Sequence, residues 1–167
     1  YTALQANAIA IRTYALKVTA EGTKPISNST SNQVFTDKFF KSEAEKYVAA
    51  RNAALSTASQ VLTENNQLIM SEYSSFSKNV NYRCEGELCY TSYEKIGSKN
   101  SGTLHTVIAK KSWGLAGGHN RGMSQWGALY LAANGYTYKQ ILADFYAENV
   151  VIANYDYSYK STDNVIL

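Results

Sequence analysis

The chain is poor in residues that punctuate or cross-link a fold. It has one proline, Pro25, in 167 residues, so no proline-rich linker divides it. It has two histidines, His105 and His119, and two cysteines, Cys84 and Cys89. A zinc site would need more ligands than the cysteine pair supplies, and no metal or cofactor is expected. Charged residues make up only 17%, with 16 basic against 13 acidic side chains and a net charge of +3. The lysines and arginines are scattered. Nucleic-acid binders concentrate theirs in a patch, so nucleic acid is not an expected partner. No run approaches the ~20 apolar residues of a membrane span, and no secretory signal is present. Residue 1 opens almost directly on a helical pattern, so the reading is one domain, 1–167, with upstream sequence expected to be missing.

What is present suits a folded domain. Hydrophobic residues make up 45%. A chain of this length buries roughly 70% of its unfolded surface. Tyrosine is frequent, at 14 copies. Its flat apolar face and polar tip suit sugar rings and interfaces, and it also packs well at sheet edges. Cys84 and Cys89 leave three readings open: a small disulfide loop, two free thiols or part of a metal site. The first fits an oxidising compartment.

Hydrophobic periodicity predicts an α+β fold: a central apolar helix, further helices and a small antiparallel sheet. Residues 2–20 read as a helix apolar almost all round, hence buried in the core. Gln5 and Arg12 are seven residues apart and share one of its faces. An arginine in so apolar a helix needs a partner, either backbone carbonyls and a carboxylate or the floor of an active groove. Gly22 marks the helix end. Residues 24–35 read as a polar loop ending in a short extended piece that carries Gln33. Ser42 and Glu45 form a capping box ahead of a helix at 43–58. Residues 60–63 and 67–73 read as strands around the Asn65-Asn66 turn. Residues 74–102 are polar and turn-rich. A strand at 104–110, helices at 124–134 and 138–147 and a strand at 150–155 complete the chain, with a capping box from Thr137 and Gln140.

Residues 113–127 carry the densest signal. Gly114, Gly117, Gly118, Gly122 and Gly127 fall within them. So many glycines imply unusual dihedrals or close backbone approach. Their amides would meet the N-terminus of the 124–134 helix, which favours negative charge. His119 stands inside this loop and is suited to moving a proton near neutral pH. No Walker pattern and no nucleophile elbow is present.

These segments resemble the SpoIID/LytB domain family (sporulation stage II protein D). Residues 1–16, Tyr-Thr-Ala-Leu-Gln-Ala-Asn-Ala-Ile-Ala-Ile-Arg-Thr-Tyr-Ala-Leu, are similar to its signature helix. Residues 29–35, ending Gln33-Val34-Phe35, resemble its Ser/Thr-rich segment. Residues 57–77 resemble its hairpin with a serine-rich exit. Residues 118–128, Gly-His-Asn-Arg-Gly-Met-Ser-Gln-Trp-Gly-Ala, resemble its Gly-His-Gly-x-Gly-Met-Ser-Gln-x-Gly-Ala motif, and residues 135–146 its closing helix. The resemblance implies an extracytoplasmic, cell-wall protein facing peptidoglycan glycan strands, with other wall hydrolases as further partners. The family includes lytic transglycosylases, in which one carboxylic acid protonates the glycosidic oxygen and then helps the sugar close a 1,6-anhydro ring. It also includes proteins described as amidase enhancers.

The departures bear on catalysis. The family's candidate acids lie just ahead of the signature helix or in its first turn, where this chain has Thr2. Asn120 replaces a usual glycine. The region between Ser77 and Trp113 is short and lacks a histidine-bearing loop. The expected site therefore has His119 and, as a weak substitute acid, Glu72 in catalytic positions. Gln5, Arg12, Gln33, Ser124 and Gln125 are expected to bind substrate.

Overall fold

The computed structural model describes residues 1–29, 32 and 44–157. Ser42, which the predicted capping box with Glu45 requires, and the candidate Gln33 lie outside the described residues. The architecture is α+β, as the periodicity implied. Helix α1 spans Thr2–Val18. Ala20, Glu21 and Gly22 then take left-handed backbone angles, which end the helix two residues before the expected boundary.

Helix α1 packs on α2 (Ala44–Ser56), α3 (Gln125–Ala133), α4 (Tyr138–Phe145) and strand β1 (Gln60–Glu64). Its buried positions are Ala3, Ala6, Ile9, Ala10 and Thr13. Their spacing of three and four makes one stripe, and the alanines let neighbours approach closely. The expectation of burial all round fails: Leu4 and Ile11 are each 37% exposed. Hydrogen bonds fasten the buried stripe. The Thr13 hydroxyl donates to the Ile9 carbonyl at 2.7 Å and accepts the Leu62 amide at 2.8 Å. Ser71 Oγ donates to the Ala10 carbonyl at 2.8 Å.

The Asn65-Asn66 turn forms as predicted, both residues having positive φ. It joins β1 to β2 (Gln67–Leu68) in an antiparallel sheet of order β2-β1-β8, where β8 is Val151–Asn154. The expected strand at 67–73 does not run through. The Glu72 amide bonds the Met70 carbonyl at 2.8 Å, a three-residue turn that bends the chain out of the sheet. Beyond the bend, β3 (Tyr73–Ser74) pairs in parallel with β7 (Met123–Ser124), in register Tyr73 to Met123 and Ser74 to Ser124.

A second antiparallel sheet places two strands in the segment expected to be turn-rich and takes as its third the strand expected at 104–110. Its strands are β4 (Arg83–Glu85), β5 (Leu88–Glu94) and β6 (Leu104–Lys110). Cys89, Thr91 and Tyr93 point inward in strict alternation, a period of two hidden by polar side chains. Cys84 and Cys89 face each other across the β4–β5 hairpin and form a disulfide, which settles the three readings of that pair. The core between helices and sheets includes Ile9, Leu62, Phe76, Tyr93, Met123, Phe145 and Tyr146. Among the described residues no helix is long and apolar enough to cross a membrane.

Candidate functional site

The glycine-rich loop is built from its contact with β3. A single 3-10 turn, Lys111–Trp113, follows β6 and closes on Gly114. The loop then runs along β3 to β7. At Gly122 φ is +66°, and a Cβ there would stand 2.0 Å from the Glu72 carbonyl oxygen. Only glycine allows this approach. At Gly127 a Cβ would come within 2.4 Å of Val107 Cγ1, so α3 sits hard against β6.

Main-chain and hydroxyl bonds complete the seam. The Met123 amide and the Tyr146 hydroxyl both donate to the Glu72 carbonyl, at 3.0 and 3.1 Å. Ser74 Oγ donates to the His119 carbonyl at 2.6 Å. The Tyr93 hydroxyl accepts the Ser77 amide at 2.8 Å and lies 3.1 Å from Ser74 Oγ. His119 is therefore held by its backbone while its side chain is exposed.

Glu72 stands at the rim of this seam, with its side chain 30% exposed. One carboxylate oxygen accepts Arg121 Nε at 2.9 Å. The same guanidinium reaches Glu94 through Nη1 at 3.5 Å. Glu72 in turn is the first cause of a raised Arg121 pKa. A carboxylate so used is a charged acceptor, which suits electrostatic stabilisation better than proton donation.

Ser124 does not join the exposed surface. It is fully buried; its hydroxyl donates to the Ser75 carbonyl at 2.9 Å and accepts the Gly127 amide at 3.1 Å as the N-cap of α3. The Trp126 amide bonds the Ser75 carbonyl. These bonds consume donors at the helix N-terminus, so the expected anion-favouring end is already occupied by the protein itself. Ser124 shapes the loop and cannot meet a sugar hydroxyl. Gln125, half-buried beside it, donates from Nε2 to Asn7 Oδ1 at 3.3 Å, across the α1–α3 contact.

Gln5 and Arg12 lie on another side of α1. Gln5 Nε2 donates to Ser56 Oγ at 3.0 Å. Arg12 donates to the carbonyls of Thr57, Gln60 and Ala54 at 2.9, 2.9 and 3.1 Å. Burial pulls its guanidinium below the ordinary value. Arg12 thus staples the end of α2 and the start of β1 to α1. On the helix Gln5 and Asn7 point about 160° apart, so the two groups do not converge on one site. Glu72, His119 and Gln125 gather around the β3–loop seam; Gln5 and Arg12 gather at α2. Asn7, Arg121, Glu94 and Tyr93 belong to the seam and were missed, because each reads in sequence as an ordinary polar or strand residue.

Clefts of about 450 Å³ between β1, β8 and α4, and of about 590 Å³ beside the end of α1, contain none of these candidates. Among the described residues no group of three histidine, cysteine or acidic side chains comes together to hold a metal.

A central helix, a glycine-rich loop paired in parallel to a strand, and an arginine shared by two carboxylates define an open polar surface site on an α+β domain. The family model for stage II sporulation protein, SpoIID, matches residues 1–63. The SpoIID resemblance read from the sequence is thereby shown over those residues. The match covers Gln5, Arg12 and Gln33; Glu72, the disulfide hairpin and the glycine-rich loop lie beyond it. No curated protein matches the chain.

Proposed function

We propose that this chain acts on peptidoglycan glycan strands, at the open surface formed by β3, the glycine-rich loop and the start of α3. One observation carries the reading. The parallel β3–β7 pairing sets the exposed His119 and the rim carboxylate Glu72 on adjoining segments. The SpoIID match at residues 1–63 supplies the context of a wall-directed family. Gln125 would orient sugar hydroxyls and acetamido groups, for which an amide offers both donor and acceptor. The chemistry proposed is lytic transglycosylase-type cleavage to 1,6-anhydro ends, given an acid that donates to the glycosidic oxygen. The Cys84–Cys89 disulfide supports a place outside the cytoplasmic membrane, where such bonds persist.

A second reading draws on a specific observation. The Glu72 carboxylate is bonded to Arg121, so a glycan-binding or amidase-activating module without cleavage fits the same surface. Purified, peptide-stripped glycan strands incubated with the chain and analysed by mass spectrometry decide between the two. New 1,6-anhydro ends that vanish in Glu72→Gln support cleavage through Glu72. Ends that persist in Glu72→Gln place the acid elsewhere. Co-sedimentation with glycan without new ends supports the binding module. The absence of both new ends and binding overturns the proposal.

A further inference from the structure

The Glu72–Arg121–Glu94 cluster joins three separate stretches of chain. Glu72 precedes β3, Glu94 ends β5 and Arg121 lies in the glycine-rich loop. The Arg121 side chain is half exposed, while those of Glu72 and Glu94 are 30% and 24% exposed. Backbone bonds hold the loop on both sides of the arginine. The Glu94 amide donates to the Asn120 carbonyl at 2.7 Å, and the Gly122 amide donates to the Glu94 carbonyl at 2.9 Å. These make a parallel bridge between Glu94 and Arg121. Glu94 Oε1 also accepts the Gly102 amide at 3.1 Å, so the turn after β5 is tied to the same carboxylate. Two carboxylates brought this near each other need a cation between them. A guanidinium can serve both at once because its donors form a planar fork, which a lysine ammonium lacks.

We infer that Arg121 is the positioning residue of the site: by sharing its guanidinium between Glu72 and Glu94 it locks the glycine-rich loop against β3 and β5, and so fixes where His119 is presented. The lock is local. Tyr93, Met123 and Phe145 are buried in the hydrophobic core, whereas the Arg121 side chain is half exposed, so removing its charge is expected to free the loop without unfolding the domain. The consequence for glycan rests on the function proposed above; the positioning role does not.

The test uses the whole chain and its Arg121→Gln, Arg121→Lys and Glu94→Gln variants. Amide hydrogen exchange is followed peptide by peptide, with peptide-stripped glycan co-sedimentation in parallel. Arg121→Gln is expected to speed exchange at residues 114–122 about tenfold while amides of α1, α4 and β1 keep their rates. Arg121→Lys recovers part of the protection, because charge is kept and the fork is lost. Glu94→Gln gives a smaller, similarly confined rise. Glycan binding falls in the same order as loop protection. Unchanged loop exchange in Arg121→Gln overturns the inference, as does a uniform rise across the chain, which would mean general destabilisation. Confined loop loosening in a protein that never binds glycan keeps the positioning role and sinks the functional reading instead.

Discussion

Two arginines, Arg12 and Arg121, show how partners decide what a charged residue does. Arg12 sits on α1, half-buried, and among the described residues it donates three hydrogen bonds, all to main-chain carbonyls near the end of α2 and the start of β1. Carbonyls do not titrate and hardly move, so that arginine is a fixed staple. Arg121 sits in a loop, half exposed, and meets two carboxylates. Its partners are charged side chains, and the pairing is sensitive to salt and to substitution. The first region therefore bears on stability and the second on presentation of the site.

The strongest way to break this comparison is Gly122→Ala. The new Cβ would need to enter the space of the Glu72 carbonyl at a positive φ. A loss of about 4 kcal/mol or more is expected, or failure to fold, read by denaturant unfolding. That result would show that the loop side also contains a purely steric element. Arg12→Met keeps much of the side-chain length and removes the donors. It strands the Thr57, Gln60 and Ala54 carbonyls, for an expected cost of about 3 kcal/mol. A cost below about 0.5 kcal/mol, the range of ordinary surface changes, would mean that Arg12 is not a staple and belongs with the site.

A third region supplies a control with a defined sign. His105 on β6 packs edge-on against Phe145, with ring centroids 5.4 Å apart, and its side chain is only 13% exposed. Its Nε2 is buried and has no hydrogen-bond partner among the described residues, and Nδ1 is 3.6 Å from the Asp144 carboxylate, beyond hydrogen-bond reach. Burial first, then Lys95, lowers the imidazole to about 4 from an ordinary value of 6.5. Burial also raises the Asp144 carboxyl, which weakens it as a counter-ion. The folded state thus holds His105 neutral where the unfolded state protonates. Its contribution is complete above pH 6.5 and is lost as pH falls toward about 4. Wild type should lose on the order of 2 to 3 kcal/mol over that window relative to His105→Phe. Equal acid sensitivity in both proteins would contradict this. His119→Ala lies at the small end for stability, within about 0.5 kcal/mol, because its side chain is exposed. Its effect should appear in glycan binding or cleavage, and a large stability loss would place His119 with Arg12.

Much of the fold was legible from pattern. The Asn65-Asn66 hairpin, the Thr137–Gln140 capping box and the helices around Gly135 follow from local chemistry, and each forms. The sheet at residues 83–110 was only partly legible, because its inward row includes Thr91 and Cys89 and reads as polar. The break between β2 and β3 was not legible at all, since it depends on a pairing partner fifty residues away at β7. Among the site candidates, His119 and Glu72 stood out by type and setting. Ser124 looked the same in sequence as an exposed hydroxyl, and only its burial shows that it is a cap.

The sequence by itself determined the α+β class, the central apolar helix, the need for glycine in residues 113–127 and the resemblance to SpoIID. All of these rest on short-range periodicity, on backbone limits of single residues, or on motifs contiguous in the chain. The tertiary structure decided that Gln5 and Arg12 point away from the loop, that Cys84 and Cys89 pair, and that Arg121 lies between Glu72 and Glu94. Those outcomes join residues from distant stretches of chain or from opposite faces of one helix, and which of them meet is set by packing and charge pairing that no local pattern encodes.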